Sequence, residues 1–148
     1  MNTRRDRIVD TARSWIGTPY RHQSACKGAG CDCLGLIRGL WRDLVGIEPE
    51  QVPDYSMDWS EPQGEEQLWQ AARRHFLPKT TGDLEHGEVV LFRMRHAAVA
   101  KHLGIIARTG QGASFIHAFS GHGVVESPLS RPWHRRIVAR FDFPKEQF

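Results

Sequence analysis

Asp32-Cys33-Leu34-Gly35-Leu36-Ile37-Arg38-Gly39-Leu40-Trp41-Arg42-Asp43-Leu44-Val45 is the stretch on which the reading of this chain turns. Cys33, Leu36, Ile37, Leu40, Trp41 and Leu44 follow one another at steps of 3, 1, 3, 1 and 3, the stripe of a helix that buries one face. Asp32 stands where an N-cap belongs and Gly46 where a helix stops, so the spacing predicts a helix from about Cys33 to about Val45. A cysteine in the first turn of a helix faces unpaired backbone N–H groups and the positive end of the macrodipole, both of which favour thiolate over thiol. A free thiol titrates at about 8.5, and such a position can lower that by roughly a unit or more. The N–H of Cys33 and its neighbours can also stabilise an oxyanion.

Upstream, Ile8, Ala12 and Trp15 fall at helical spacing over 3–16, and Gly17-Thr18-Pro19 ends that helix. Residues 20–32 form a glycine-containing loop. Downstream, 47–63 is rich in Pro, Asp, Glu and Ser and is expected as a long loop. A third helix is expected over about 64–77, with Leu68, Trp69, Ala72 and Phe76 inward and Pro78 closing it. The period then changes, and strands are expected over 88–93, 102–108, 113–118, 123–126 and 136–142. Helices first and antiparallel strands afterwards define an α+β domain spanning 1–148, its N-terminal helices packed on an antiparallel β-sheet.

A nucleophilic thiol needs an imidazole within reach, and the imidazole needs an orienting partner. His102 opens one predicted strand and His117 lies in the next. Because strand side chains alternate, His102 shares a face with Gly104 and Ile106, and His117 with Phe115. If the two strands pair, both histidines can point at the start of the Cys33 helix. Spacing alone leaves the bland readings open: a cysteine at a helix start serves as a small buried hydrophobe, and this chain has eight histidines from which to choose.

The ordered blocks Thr18-Pro19-Tyr20, Asp32-Cys33-Leu34-Gly35-Leu36-Ile37, Lys101-His102-Leu103-Gly104-Ile105 and Ile116-His117-Ala118 resemble the motifs of the NlpC/P60 peptidase family. Within it, the loop His22-Gln23…Gly30-Cys31-Asp32-Cys33, Asp58-Trp59 and Lys101-His102 are similar to the short peptidases of tailed phages and gene transfer agents. The resemblance implies a papain-like NlpC/P60 core and hydrolysis of peptidoglycan stem peptides between D-glutamate and a diamino acid. It implies Cys33 as nucleophile, His102 as general base, His117 as orienting group and Tyr20 as a hydrogen-bonding residue beside the thiolate. Asp32 matches the acidic residue before the nucleophile, which can face substrate. Two positions depart from the family's pattern: Leu34 stands where serine is common, and Arg21, His22 and Gln23 follow Tyr20 where a Gly-Gly pair is common.

Composition narrows the classes. The chain has 148 residues, 40% hydrophobic and 25% charged, the balance of an ordinary globular domain. Its net charge of +3 is spread along the sequence and does not demand nucleic acid. The basic cluster Arg131, His134, Arg135, Arg136 and Arg140 reads as a solvated surface, and Asp58, Trp59 and Trp133 as packing residues. No apolar run approaches the roughly 18 residues of a membrane span. The charged start, Met1-Asn2-Thr3-Arg4-Arg5-Asp6-Arg7, lacks the apolar region of a signal peptide, so synthesis in the cytoplasm is expected. A substrate in the cell wall and no export signal together imply delivery by a phage-like particle, with its tail or baseplate proteins as partners.

Three cysteines, Cys26, Cys31 and Cys33, leave at least one thiol free. No metal and no cofactor is expected. Rival readings are a metal module on Cys26, Cys31, Cys33 and His22, whose spacing suits zinc poorly, a structural tail component with an inactive peptidase fold, and acyl transfer on the same site.

Overall fold

The computed structural model describes residues 2–50, 66–95 and 98–145. The first helix, α1 (Arg4–Arg13), starts at a capping box in which Thr3 Oγ1 accepts the Asp6 N–H at 3.1 Å and Asp6 accepts the Thr3 N–H at 2.9 Å. It buries Ile8, Val9 and Ala12, and Trp15 follows them into the core just after the helix ends. The loop expected over 20–32 folds back on itself as a hairpin of two short strands, β1 (Ala25–Cys26) and β2 (Gly30–Cys31). Then comes α2 (Cys33–Leu44), the predicted helix, with Gly35, Leu36, Ile37, Gly39, Leu40 and Trp41 buried.

Two glycines of α2 permit its packing. A Cβ on Gly35 would lie 1.8 Å from the Ser24 carbonyl oxygen, so only glycine lets the hairpin loop rest on the helix. A Cβ on Gly39 would lie 2.1 Å from the Trp15 ring, which fills that space and ties α1 to α2.

After α3 (Gln67–His75) the strands β3 (Leu77–Pro78), β4 (Val89–Phe92), β5 (His102–Arg108), β6 (Ser114–Phe119), β7 (Gly123–Pro128) and β8 (Ile137–Asp142) form one antiparallel sheet in the order β3-β8-β4-β5-β6-β7. One face, with Val89, Leu91, Leu103, Ile105 and Ile116, shares a continuous core with Ile8 of α1 and Leu36 and Leu40 of α2. The other carries Val90, Phe92, Ile106 and Phe115, against which Leu129 and Trp133 pack; Trp133 lies on α4 (Arg131–Arg135). The fold is therefore the mixed one expected, helices on an antiparallel sheet. None of its described helices is long and apolar enough to cross a membrane.

The structure corrects three local expectations. The first helix ends at Arg13 rather than at residue 16. The third helix ends at His75, and Pro78 belongs to an edge strand paired with Phe141, where a missing N–H can face away from the sheet. The hairpin β1–β2 and the short helix α4 have no counterpart in the predicted elements. Asp58, Trp59, His96 and most of the expected 47–63 loop lie outside the described residues.

Candidate active site

Cys33 is the first residue of α2 and is half-buried. Asp32, the N-cap, is 3% exposed, and both carboxylate oxygens serve the backbone: Oδ1 accepts the Gly35 N–H at 2.7 Å and Oδ2 the Gln23 N–H at 2.8 Å. Gln23 sits at φ +64, a left-handed conformation that this hydrogen bond helps to hold. Asp32 is thus a cap and loop clamp, in contrast to the substrate-facing position expected, because each oxygen is already occupied inside the protein.

The helix presents Cys33 to the start of β5. Its S–H donates to the Lys101 carbonyl at 3.5 Å, and the Leu103 N–H also reaches the sulfur. His102 lies between those two residues. The β5–β6 pairs run from Arg108↔Ser114 to Ile105↔Ile116, and further toward the start of β5 its backbone meets the cysteine. The strands pair as the histidine hypothesis requires, and the two rings meet: His102 Nε2 is 2.8 Å from His117 Nδ1. His117 Nε2 in turn lies 2.9 Å from Ser127 Oγ. With Nε2 engaged by His117, Nδ1 is the remaining ring nitrogen of His102.

Aromatic rings wall the pair. Phe92 and Trp133 lie 5.7 Å from the His102 ring, and Phe115 lies 4.2 Å and Phe119 5.2 Å from that of His117. Burial, and secondarily the charge of His117, pushes His102 down to about 3; burial, and secondarily His122, pushes His117 down to about 4. Burial followed by the Asp32 charge pushes the Cys33 thiol up to about 12, while hydrogen bonds from Leu103, Leu34 and its own N–H pull it down. The sequence expectation of a lowered thiol is therefore reversed in the resting protein. The helix N-terminus acts in the expected direction, but desolvation and a neighbouring carboxylate outweigh it. At neutral pH these shifts leave the thiol and both imidazoles neutral.

Tyr20 pairs with Cys31 through an isolated parallel bridge, which sets it beside the loop that leads into Cys33. Burial first, then the charges of Cys33, Asp32 and Cys31, pushes its phenol up to about 12, so it remains a hydrogen-bond donor. Leu34 lines an apolar cavity between α2 and α3 with Trp41, Leu68, Phe76 and Leu103. All three cysteines are free, Cys26 exposed and Cys31 fully buried. Among the described residues no cluster of histidine, cysteine or carboxylate side chains could hold a metal ion. Sequence reasoning misses Ser127 and the place of Trp133 at the site. Ser127 lies two pairs along from His117 on the adjacent strand, and so on the same face, a relation visible only once Phe115↔Ser127 and His117↔Val125 are known to pair.

Comparison with known proteins gives a consistent answer. The model of the NlpC/P60 family matches residues 17–141. The chain is 29% identical over 145 residues to gamma-DL-glutamyl hydrolase of Bacillus subtilis, covering 94% of this chain and 30% of that protein. It is 27% identical over 124 residues to murein DD-endopeptidase MepH of Escherichia coli, covering 83% of this chain and 40% of that protein. The chain thus spans well under half the length of either curated relative. The fold is similar to the crystal structure of an NlpC/P60 family protein from Bacillus cereus, with a TM-score of 0.63, 20% identity, and coverage of 97% of this chain and 41% of that one.

Proposed function

The chain belongs to the NlpC/P60 family, and from that premise we propose that it is a cysteine peptidase hydrolysing peptidoglycan stem peptides, with Cys33 as nucleophile, His102 as general base and His117 as the group that orients it. One observation carries the reading: the Cys33 thiol, at the first turn of α2, lies against the Lys101 carbonyl, immediately before a histidine whose far nitrogen is held by a second histidine.

The chemistry follows from the resting protonation states. With thiol and imidazole both neutral, His102 Nδ1 takes the proton as the sulfur attacks the scissile carbonyl, so charge separates only as the new bond forms. Backbone N–H groups at the start of α2 face the developing oxyanion, and the Tyr20 phenol is a further donor beside it. The imidazolium then protonates the leaving amine, and water, deprotonated by the same ring, releases the acyl group from Cys33.

The bond between D-glutamate and a diamino acid is the proposed target. It is supported by the family and by the name of one relative, a gamma-DL-glutamyl hydrolase, while the other, a murein DD-endopeptidase, supports only the broader reading of a peptidoglycan hydrolase. Delivery by a phage-like tail particle, with tail or baseplate partners, rests on the sequence resemblance alone.

Purified muropeptides digested with the protein and separated by mass spectrometry test the reading. Release of fragments ending in D-glutamate is expected from wild type, and none from Cys33→Ala. Fragments from another bond would remove the specificity, and no fragments at all would remove the activity.

A further inference from the structure

The row that begins at His102 does not end at His117. His117 is fully buried, and both its ring nitrogens have partners, His102 Nε2 at 2.8 Å on Nδ1 and Ser127 Oγ at 2.9 Å on Nε2. A neutral imidazole has one N–H and one bare nitrogen, so the direction of one hydrogen bond in the row dictates the rest.

Only two arrangements satisfy every contact. In one, Ser127 Oγ accepts from His117 Nε2–H, and His117 Nδ1 accepts from His102 Nε2–H. His102 Nδ1 is then bare and can take the thiol proton. In the other, the Ser127 hydroxyl donates to His117 Nε2 and His117 Nδ1–H donates to His102 Nε2. His102 Nδ1 then already carries a hydrogen, and the ring cannot act as a base. We infer that Ser127 is a positioning residue which, by accepting from His117 Nε2–H, fixes the tautomers of both histidines so that His102 Nδ1 is left free for Cys33.

The surroundings make the row matter. Phe115, Phe119 and Trp133 pack within 5.2 Å of the His117 ring, centroid to centroid, so a hydrogen-bond donor left there without its acceptor has poor access to water. The register of the sheet supplies the acceptor. Phe115 pairs with Ser127 and His117 with Val125, so the serine stands diagonally across from the imidazole on the same face. The low proton affinities of both rings are consistent with a row of neutral groups.

This inference rests on the peptidase reading, which chooses between the two arrangements the one that leaves His102 Nδ1 able to act as a base; the contacts themselves do not depend on it. Nitrogen-15 NMR of ring-labelled wild-type protein, taken near neutral pH without substrate, reads the tautomers directly. Both histidines are expected to be protonated at Nε2. Ser127→Ala should mix the two forms and lower kcat by about five- to tenfold, the effect of one neutral hydrogen bond, with KM little changed. Ser127→Thr, which keeps the hydroxyl, should restore both signals and rate.

A wild-type His117 protonated at Nδ1 overturns the inference, as does a Ser127→Ala variant with unaltered tautomers, whatever its rate. Should Ser127→Ala fail to fold, the wild-type spectrum and Ser127→Thr decide. A wild-type protein that cuts no stem peptide overturns the peptidase reading instead, and the spectra still settle the tautomer.

Discussion

Two buried polar clusters lie at opposite ends of β4, and they hold ionisable groups out of water by opposite means. Just before the strand, Glu88 is fully buried and charged. Arg140 donates to it at 2.8 and 3.0 Å, Lys79 at 2.9 Å and the Glu85 N–H at 3.0 Å. Burial is the largest single influence and pushes its pKa up, but the hydrogen bonds from Arg140 and Lys79, with the charges behind them, bring it below the ordinary carboxylate value. Four residues along, about 13 Å away in an extended strand, Phe92 pairs with His102. The histidines there meet each other, a hydroxyl and aromatic rings, and burial leaves them neutral. A carboxylate surrounded by cations is locked in one protonation state. An imidazole without a counter-charge keeps a lone pair available. The first arrangement serves the fold, and the second is the one that the proposed proton transfer requires.

The largest effect that would break this contrast is on turnover. Cys33→Ala is expected to abolish hydrolysis, and His102→Ala to lower kcat roughly a thousandfold or more. Because the resting thiol is neutral, His102→Ala should also slow alkylation of Cys33, measured by peptide mass spectrometry, while exposed Cys26 reacts as before. Unchanged labelling of Cys33 would mean that the imidazole does not activate it. At the other cluster, Glu88→Ala should leave Arg140 and Lys79 without their shared carboxylate and cost about 3–5 kcal/mol in a urea titration. The kcat of the remaining folded protein should stay near that of wild type.

The smallest effect is spread over pH and separates the two clusters. The histidines' folded values of about 3 and about 4 lie below the unfolded value of 6.5, so in this window the unfolded chain binds protons that the folded chain does not. Their contribution is complete above pH 6.5 and is lost as pH falls, by about 1.4 kcal/mol per pH unit for each ring. Glu88, also depressed, contributes above its unfolded value of 4.5 and loses that only below it. Urea midpoints should therefore fall between pH 6.5 and 4.5 because of the histidines. A His102→Gln/His117→Gln variant should flatten that region, whereas Glu88→Gln should flatten the part below it. A double variant as pH-sensitive as wild type would show that the rings are protonated in the folded state.

Several parts of the fold and site are legible in the chain itself. The steps of 3, 1, 3, 1 and 3 from Cys33 to Leu44 predict α2, and the alternation around His102 and His117 puts both on one face of paired strands. Both are local periodicities, which a chain displays residue by residue. The hairpin Ala25–Cys31 escapes such a reading because its strands are two residues each, too short for a period. β3 escapes it because a proline so close to a helix end reads as a stop, and only the free edge of β8 makes it a strand. The resemblance names position 34 but not its neighbours, and only the packing of α2 on α3 puts Leu34 in one cavity with Leu68 and Phe76.

Sequence by itself determined the family, the layer arrangement, and which two histidines meet, because motif order and periodicity are properties of the chain. Tertiary structure alone decided the protonation of the site. Asp32 at 3% exposure, and His117 at 0% with the rings around it, set the local dielectric and the hydrogen-bond partners, and these outweigh the helix dipole that the sequence advertises. It also decided that a serine ten residues beyond His117 completes the row, since register between strands β6 and β7 exists only in the folded sheet.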